Sequence, residues 1–278
     1  MPGITLPPAT ASQTAQALAS KQTDPAISTE EAQSPVPNSD DEPQPSPSTG
    51  ITTPPSQPTS PPQMLLDDAI LTRHSTRQFL PTPVPQALIS RALSLASHSP
   101  SDTNTQAWRL FIVSGEALAR LKSSLLSAAA TREPDIAPFP PAFQSYRSAL
   151  GKAVFGDGFG VAHDDAEGRK AATMRNYAFY GAPVAVIVCM SAALEGRAAF
   201  SVGMYVQTLL LALTEVGVGS CVEVSVAGFA DVVKREVGIG EDLRVLVGVA
   251  VGFEDEGARV NAIRSEREEV GRTTVWVE

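Results

Sequence analysis

The sequence contains little cysteine and no long apolar runs. Cys189 and Cys221 are its only cysteines, so we expect no disulfide framework and favour a reducing compartment, the cytoplasm. The longest clean apolar run covers residues 182–190, far short of the roughly 20 residues that a membrane-spanning helix needs. The N-terminus lacks the basic and apolar regions of a targeting signal. We therefore expect neither a secreted disulfide scaffold nor a membrane protein.

Positive charge is also scarce. The formal net charge is −9, and residues 1–62 supply −5 of it because Lys21 is their only basic residue. The acidic residues of this segment are Asp24, Glu30, Glu31, Asp40, Asp41 and Glu42. The rest of the chain is only mildly acidic. Contacts to nucleic-acid phosphates need a surplus of Lys and Arg in a patch or stripe, so we expect no nucleic-acid partner.

Aromatic residues are absent from the N-terminal segment. Residues 1–62 contain no Phe, Trp or Tyr but hold 14 of the 23 prolines, with Ser, Thr and Gln filling most of the rest. This composition cannot bury enough apolar surface to offset its chain entropy. We predict a disordered, acidic Pro/Ser/Thr-rich tail over 1–62 and a folded domain over 63–278. Both a merely solvated tail and a docking or regulatory segment fit this composition.

Apolar periodicity beyond residue 62 alternates between helical and strand-like segments. Helical spacing predicts helices over residues 63–72, 85–98, 116–130 and 198–216, with another near 142–153. Continuous β-prone runs predict strands over 108–113, 183–189 and 243–253, the last two buried on both faces. The helix over 198–216 is apolar nearly all round, so we expect it at the domain centre or in a subunit interface. Prolines and glycines dominate residues 133–168, predicted to form an irregular excursion that can cover a substrate.

Common catalytic constellations are missing from the sequence. The three histidines are widely spaced and the two cysteines have no ligand spacing, so no metal site is expected. There is neither a G-x-S-x-G elbow nor a Walker loop. The segment 156–160 superficially resembles a dinucleotide loop, but no strand precedes it, and we interpret it as a flexible loop. The run 163–165 (HDD) is interpreted as a solvated loop rather than a metal ligand set.

The cluster at residues 73–77 (RHSTR) is the most informative feature on chemical grounds. Arg73 and Arg77 flank His74 and Ser75, so the cluster offers many hydrogen-bond donors and contains no acid. Such a donor set suits a phosphate or another polyanion. A solvated basic turn explains the same residues equally well, and the motif alone does not decide between the two.

A second polar cluster lies directly before the predicted strand at residue 108. Residues 99–106 (SPSDTNTQ) contain Ser101 and Asn104. An amide held on a tight loop can contact both donor and acceptor edges of a heterocycle. Helix capping and turn chemistry are the alternative explanation for Ser and Asn at these positions.

Six ordered strings between residue 65 and the C-terminus together resemble the nitroreductase family, most closely its nitrobenzoate-reductase-like branch. The strings are residues 73–85 (RHSTRQFLPTPVP), 99–115 (SPSDTNTQAWRLFIVSG), 175–188 (RNYAFYGAPVAVIV), 202–221 (VGMYVQTLLLALTEVGVGSC), 229–239 (FADVVKREVGI) and 260–268 (VNAIRSERE). Their order over some 200 residues makes the likeness specific.

The resemblance implies an α+β fold, in which helices flank a central, mainly antiparallel sheet and two subunits intertwine around FMN. Residues matching the family's FMN contacts are Arg73, His74, Ser75, Arg77, Ser101, Asn104, Ser220, Cys221 and Arg264. Asn104 matches the amide that touches the isoalloxazine ring, and Arg264 the arginine that returns to the phosphate. Residues 219–223 match a turn beside the ring.

Three positions depart from the family pattern. Ala107 replaces a proline that is common between Gln and Trp, which leaves that loop less restricted in φ. Ala262 stands where some relatives carry a second basic residue. Glu223 stands where the most similar branch usually has Gln, and a carboxylate facing the ring would disfavour a reduced anionic flavin.

The reaction implied by the resemblance is ping-pong. NADH or NADPH delivers hydride to the flavin and leaves, and a nitroaromatic, quinone-like or related conjugated acceptor then takes two electrons. The cofactor carries the chemistry, so no side chain is required as nucleophile or general base. A flavin-dependent tailoring dehydrogenase or oxidase and a non-catalytic flavin-binding regulator are the alternatives. Residues 133–168 are expected to shape the substrate choice, with Phe139, Phe143, Tyr146 and Phe155 either stacking on the substrate or packing in the core.

Overall fold

The structure is a computed structural model that describes residues 64–194 and 196–278. The predicted disordered tail over residues 1–62 lies outside the described residues. The α-helices are Leu66–Thr72 (α1), Gln86–Ala96 (α2), Gly115–Thr131 (α3), Gln144–Gly151 (α4), Ala166–Met174 (α5), Gly196–Glu215 (α6), Ala230–Val237 (α7) and Val270–Thr273 (α8). The strands are Trp108–Ser114 (β1), Val184–Ser191 (β2), Gly219–Glu223 (β3) and Leu243–Gly252 (β4).

The four strands form one sheet in the order β1-β2-β4-β3, and every neighbouring pair is antiparallel. The register between β2 and β4 shifts between Val188 and Cys189, where a bulge interrupts the ladder. Strand β3 forms an edge, with Glu223 opposite Gly248. The predicted α+β fold, with a mainly antiparallel sheet flanked by helices, is confirmed.

Strand β2 divides the core because its alternate side chains point to opposite faces of the sheet. Ala185, Ile187 and Cys189 pack into the cluster that includes α3 and α7. Val186 and Val188 pack into the cluster that includes α2 and α6. The first seven residues of β2 are buried, which confirms that this segment lies between two layers.

Strand β3 corrects an expectation drawn from the resemblance. Residues 219–223 were expected as a turn, but they pair with β4 along their whole length. The pairing is non-local, so it left little periodic signal in a five-residue segment. Strand β3 therefore buries Cys221 and Glu223 on one face, and on the other it buries Ser220 but exposes Val222.

The excursion over residues 133–168 is more helical than predicted. Helix α4 continues into a π-helical segment, Lys152–Gly158, so the glycines at 156 and 158 belong to helical turns and not to a flexible loop. Asp165 accepts a hydrogen bond from the Gly168 amide at 2.9 Å and begins α5, a helix absent from the prediction. The run 163–165 thus includes a helix cap.

Helix α6 is half-buried. Its inner side contributes Tyr205, Leu209 and Leu213 to the core, whereas Phe200 is 72% exposed. By length and composition alone α6 could cross a membrane, but its inner side packs against α2 and the sheet as the core helix of a globular domain does. The outer side is uncovered in a single protomer and is mixed in character, with Phe200 between the polar residues Arg197 and Gln207.

Candidate functional site

The segment around Ser75 lies directly against strand β3. Ser75 forms a parallel bridge with Ser220, and the Thr76 amide donates to the Ser220 carbonyl at 3.0 Å. A Cβ at position 219 would come within 2.6 Å of the Thr76 hydroxyl, so only glycine allows this approach. The fold therefore brings Ser75 and Ser220, predicted from separate strings, into direct backbone contact.

Arg73, His74 and Ser220 line one cavity of about 690 Å³, together with Thr76 and Glu254. We call it the Arg73 cavity. Partial burial and the positive charge of Arg267 both lower the pKa of the Arg73 guanidinium. The C-terminal segment thus brings a second cation, Arg267, close to Arg73. Sequence reasoning missed Arg267 because it lies beyond the matched arginine, Arg264.

His74 is fixed between two acceptors. Its Nδ1 lies 2.9 Å from the Thr72 carbonyl, and its Nε2 lies 3.0 Å from a carboxylate oxygen of Glu254. The two contacts fix the orientation of the imidazole and place a carboxylate in the lining of the Arg73 cavity.

Arg77 opens on a different cavity, also of about 690 Å³, whose other basic lining residues are Arg147, Lys152, His163 and Arg169. We call it the Arg77 cavity. The Arg77 guanidinium donates to the Ser75 carbonyl at 3.3 Å, which holds its stem against the segment beside β3. Tyr180 lines the same cavity, and burial raises the pKa of its hydroxyl, which therefore stays protonated at neutral pH.

Asn261 joins the arginine segment to the C-terminus. Its Oδ1 accepts from the Arg77 amide at 2.7 Å, and its Nδ2 donates to the carbonyls of Gln78 and Asp255 at 2.8 and 3.0 Å. Its own carbonyl accepts from Arg264 at 2.6 Å. The residue is buried. Sequence reasoning missed it because a lone Asn in a matched string gives no sign that its side chain satisfies three backbone groups.

Arg264 lines a third cavity of about 790 Å³, which lies between α4 and the C-terminal segment. Leu150 borders both this cavity and the Arg77 cavity, so α4 lies between the two. In the described part of one protomer, Arg73, Arg77 and Arg264 therefore line three cavities around a common backbone junction. Their shared role at a single phosphate stays a prediction.

The loop over residues 99–106 is strained and exposed. Thr103, Asn104 and Gln106 have φ values of 52°, 55° and 45°, a region in which non-glycine residues are uncommon. Ser101 Oγ accepts from the Gln106 amide at 3.0 Å, so this serine has the turn role that was the alternative explanation. Among the described residues of one protomer, neither Ser101 nor Asn104 lines any of the three arginine cavities.

Strand β3 carries a buried carboxyl group without a hydrogen-bond partner. Glu223 is 2% exposed, and neither carboxyl oxygen has a partner among the described residues. Burial raises the pKa of this carboxyl, and the charges of Lys122 and Arg77 offset only part of that rise. Lys122 itself donates to the Ala182 carbonyl at 2.7 Å. An unpaired polar group of this kind is rare and indicates a function.

Cys221 lies on the same strand and is unreactive by its environment. Burial raises the pKa of its thiol to about 12, so the thiolate is a minor species at neutral pH. Cys221 therefore contributes packing rather than nucleophilic chemistry.

The excursion does not pack its aromatic residues into the core. Phe139, Phe143 and Tyr146 are 46%, 54% and 54% exposed, and α4 contains no buried residue. Core packing is therefore wrong for these three. Phe155 is half-buried and lines the Arg77 cavity, where it stands under the guanidinium of Arg169.

Comparison with known proteins identifies a family. The sequence model described as "Nitroreductase family" matches residues 70–253. The chain is 32% identical over 208 residues to the nitroreductase NfnB of Mycolicibacterium smegmatis, covering 73% of this chain and 88% of that protein. It is 32% identical over 211 residues to a 4-nitrobenzoate reductase of Pseudomonas putida, covering 73% and 91%.

A solved structure agrees. It is described as the FMN-dependent nitroreductase NfnB from Mycobacterium smegmatis in complex with NADPH. It superposes with a TM-score of 0.72 at 32% identity, covering 76% of this chain and 97% of that one.

Proposed function

The chain belongs to the nitroreductase family, and on that premise we propose that it is an FMN-dependent oxidoreductase that uses NAD(P)H to reduce nitroaromatic or quinone-like acceptors. The single observation that carries the proposal is the Arg73 cavity, which Arg73, His74 and Ser220 line beside strand β3, with the charge of Arg267 acting on Arg73 from the C-terminal segment. The names of its relatives supply the substrate class.

The donors around strand β3 fit a flavin mononucleotide. A phosphate dianion leaving water needs several charged donors, and Arg73, with Arg267 beside it, meets that need from opposite ends of the chain. Arg264 is the third predicted cation, tied to the same junction through Asn261. The unpartnered carboxyl of Glu223 beside Arg77 fits the polar edge of a heterocycle.

When bound, FMN supplies the redox chemistry by accepting a hydride and passing on two electrons. The protein's residues position and tune it. Arg77 would offer positive charge to a bound flavin as negative charge develops on its ring. A protonated Glu223 would have a hydrogen to donate to such a ring, which would avoid the repulsion that an ionised carboxylate causes. The Cys221 thiol stays neutral, which agrees with chemistry that needs no protein nucleophile.

We propose a homodimer as the working unit. One protomer leaves a set of apolar side chains uncovered on α1, α6 and the segment after β3: Leu66, Leu71, Phe200 and Val224, which are 65%, 78%, 72% and 59% exposed. Exposed apolar side chains on neighbouring elements mark interaction surfaces. The loop at 99–106 then reaches the flavin site of the partner subunit, since it lines no arginine cavity of its own chain. The unpaired cysteines are consistent with a cytoplasmic location.

Mixed dimers test the arrangement. Chains carrying Arg73→Ala and Asn104→Ala are co-expressed with different tags, and the mixed dimer is purified. If the loop acts across the interface, one of its two sites contains both wild-type residues and binds FMN with wild-type affinity at half stoichiometry. If the loop acts within its own chain, both sites are defective and no tight site remains. A monomeric protein would also contradict the proposal.

The absorbance spectrum of the purified protein tests the function itself. We expect flavin bands and one FMN per chain after reconstitution, followed by consumption of NADPH when 4-nitrobenzoate or a quinone is added. A colourless protein that cannot take up FMN, or a bound flavin that neither NADH nor NADPH reduces, would overturn the proposed function.

A further inference from the structure

The Arg77 cavity has an unbalanced positive lining. Four residues that are cationic at neutral pH line it, namely Arg77, Arg147, Lys152 and Arg169, together with His163. No Asp or Glu of the described residues lines it. The Arg73 cavity, by contrast, includes Glu254 and Glu256, and the cavity of Arg264 includes Glu266, Glu268 and Glu269. The Arg77 cavity therefore differs in charge from both of its neighbours.

The cations on the outer wall of this cavity have no carboxylate partner. Among the described residues, no side chain of Arg147, Lys152 or Arg169 forms an ion pair within 4.0 Å. Like charges about 4 Å apart repel by roughly 1 kcal/mol even in water. Such a group is stabilised when an anion enters it.

Aromatic rings position two of these guanidinium groups. Arg147 lies 5.8 Å from the centre of the Phe139 ring, and Arg169 lies 5.1 Å from that of Phe155. Stacking on a ring fixes the plane of a guanidinium but leaves its N–H groups able to donate elsewhere. The cavity wall also contains Lys152, Val154 and Phe155 of the π-helical segment Lys152–Gly158, a geometry that occurs frequently at functional sites.

The position of the cavity narrows the choice of anion. Arg77 and Tyr180 form its inner side, and Arg77 acts electrostatically on both Cys221 and Glu223 of β3. A ligand that occupies the cavity therefore reaches toward the proposed flavin site. Four cations exceed what one carboxylate needs, whereas phosphate groups match them in charge and in number of acceptors.

We propose that the Arg77 cavity holds phosphate groups of the reducing pyridine nucleotide while its nicotinamide stands at the flavin. Arg147 and Arg169 are the residues that recognise the phosphate from the excursion. This inference rests on the proposed function. Two phosphates can fill the role, the 2′-phosphate found only in NADPH and the diphosphate bridge that NADPH shares with NADH.

The test compares Arg147→Ala and Arg169→Ala with Lys170→Ala, which removes an exposed cation from the same helix as Arg169 but outside the cavity lining. The FMN-loaded variants are assayed with NADPH and NADH and a neutral acceptor such as nitrobenzene. We expect kcat/KM for NADPH to fall about tenfold in both cavity variants, with FMN content unchanged, and to stay at the wild-type value in Lys170→Ala. A fall for NADPH alone assigns the 2′-phosphate, and an equal fall for both nucleotides assigns the diphosphate bridge.

Binding measurements keep the inference separate from the proposed function. Adenosine 2′,5′-bisphosphate and ADP are titrated calorimetrically into the wild type and the three variants, which requires no turnover. Weaker binding in the two cavity variants supports the inference even in a chain that fails to reduce any acceptor. Unchanged nucleotide binding and kinetics in both variants would overturn it. A kinetic defect that appears only with acceptors that carry a carboxylate would also overturn the inference.

Discussion

The Arg73 and Arg77 cavities are lined by neighbouring residues of one short segment, 73–77. In the part of the chain that the structure describes, only the Arg73 cavity of the two has carboxylates in its lining. In the Arg73 cavity, His74 is held between the Thr72 carbonyl and the Glu254 carboxylate before any ligand arrives. In the Arg77 cavity, the cations of the excursion meet no carboxylate among the described residues. A basic group with a carboxylate neighbour keeps its position by itself, whereas a group of cations without one is stabilised by an incoming anion. The first arrangement suits a resident cofactor and the second suits a ligand that comes and goes.

Replacing Asn261 should have the largest effect on stability, because this residue joins the backbone segments that carry Arg77 and Arg264. Asn261→Ala removes an acceptor from the Arg77 amide and donors from two carbonyls. Leaving buried polar groups unsatisfied costs about 1–3 kcal/mol each, so for three groups we expect a loss of at least about 3 kcal/mol in the free energy of unfolding. Urea denaturation measures it. Asn176→Ala, which breaks one hydrogen bond with Tyr180 and an exposed one to the Thr173 carbonyl, serves as the control and should cost less.

Arg264→Ala and Arg73→Ala test whether the two residues serve one phosphate although they line different cavities. Loss of a charge-assisted hydrogen bond costs about 1.5–3 kcal/mol, so each change should weaken FMN affinity on the order of tenfold to a hundredfold. Quenching of flavin fluorescence during titration measures the affinity. The double variant should lose less than the product of the two single effects, because neighbours in one site are not additive. Unchanged affinity in Arg264→Ala would remove that residue from the site.

Glu223→Gln tests the buried carboxyl of strand β3, which Arg77 influences electrostatically. Burial raises the pKa of Glu223, so above the ordinary Glu pKa the folded state keeps a proton that the unfolded state has lost. The free energy of unfolding of the wild type should therefore fall as pH rises through this window, by about 1.4 kcal/mol per pH unit while only one state is protonated. Glutamine does not titrate, so the variant should match the wild type near pH 4 and exceed it at higher pH. If the stability curves of the wild type and the variant ran parallel from pH 4 to 8, the Glu223 carboxyl would have to be ionised or hydrogen-bonded in the folded protein.

Glu254→Gln should bring the Arg73 cavity closer in charge to the Arg77 cavity, with Glu256 left as a carboxylate in its lining. The substitution removes the carboxylate that contacts His74, and a partly exposed ion pair of this kind contributes up to about 1 kcal/mol. We expect a loss of about 0.5–1 kcal/mol, measured by thermal or urea denaturation at neutral pH. A variant as stable as the wild type would show that the pair contributes nothing to the fold.

Sequence reasoning located most of the regular structure because apolar periodicity reports directly on burial. The predicted helix over 85–98 and strand over 183–189 agree with α2 and β2 within a few residues. Strand β3 and helix α5 escaped prediction for different reasons. The pairing of β3 is set by β4, far along the chain, and α5 has only one buried residue, Ala172, so it carries little apolar signal.

The site residues also fall into those that the sequence could identify and those that it could not. Arg73, Arg77 and Arg264 could be named from their residue types and from the order of the matched strings. Asn261, Arg267 and Tyr180 could not, because their roles depend on which backbone groups and charges the fold places beside them. The cavity assignments of the three predicted arginines also needed coordinates, since sequence order cannot show that α4 lies between Arg77 and Arg264.

The absence of buried side chains in α4 has a consequence for how such a protein diversifies. Substitutions on a helix that contributes nothing to the core leave folding stability nearly untouched. Descendants of this chain can therefore vary the composition of the cavity wall almost freely while the sheet and its flanking layers stay under strict constraint. For engineering, grafting the excursion of a relative onto this scaffold is a low-risk route to altered ligand preference.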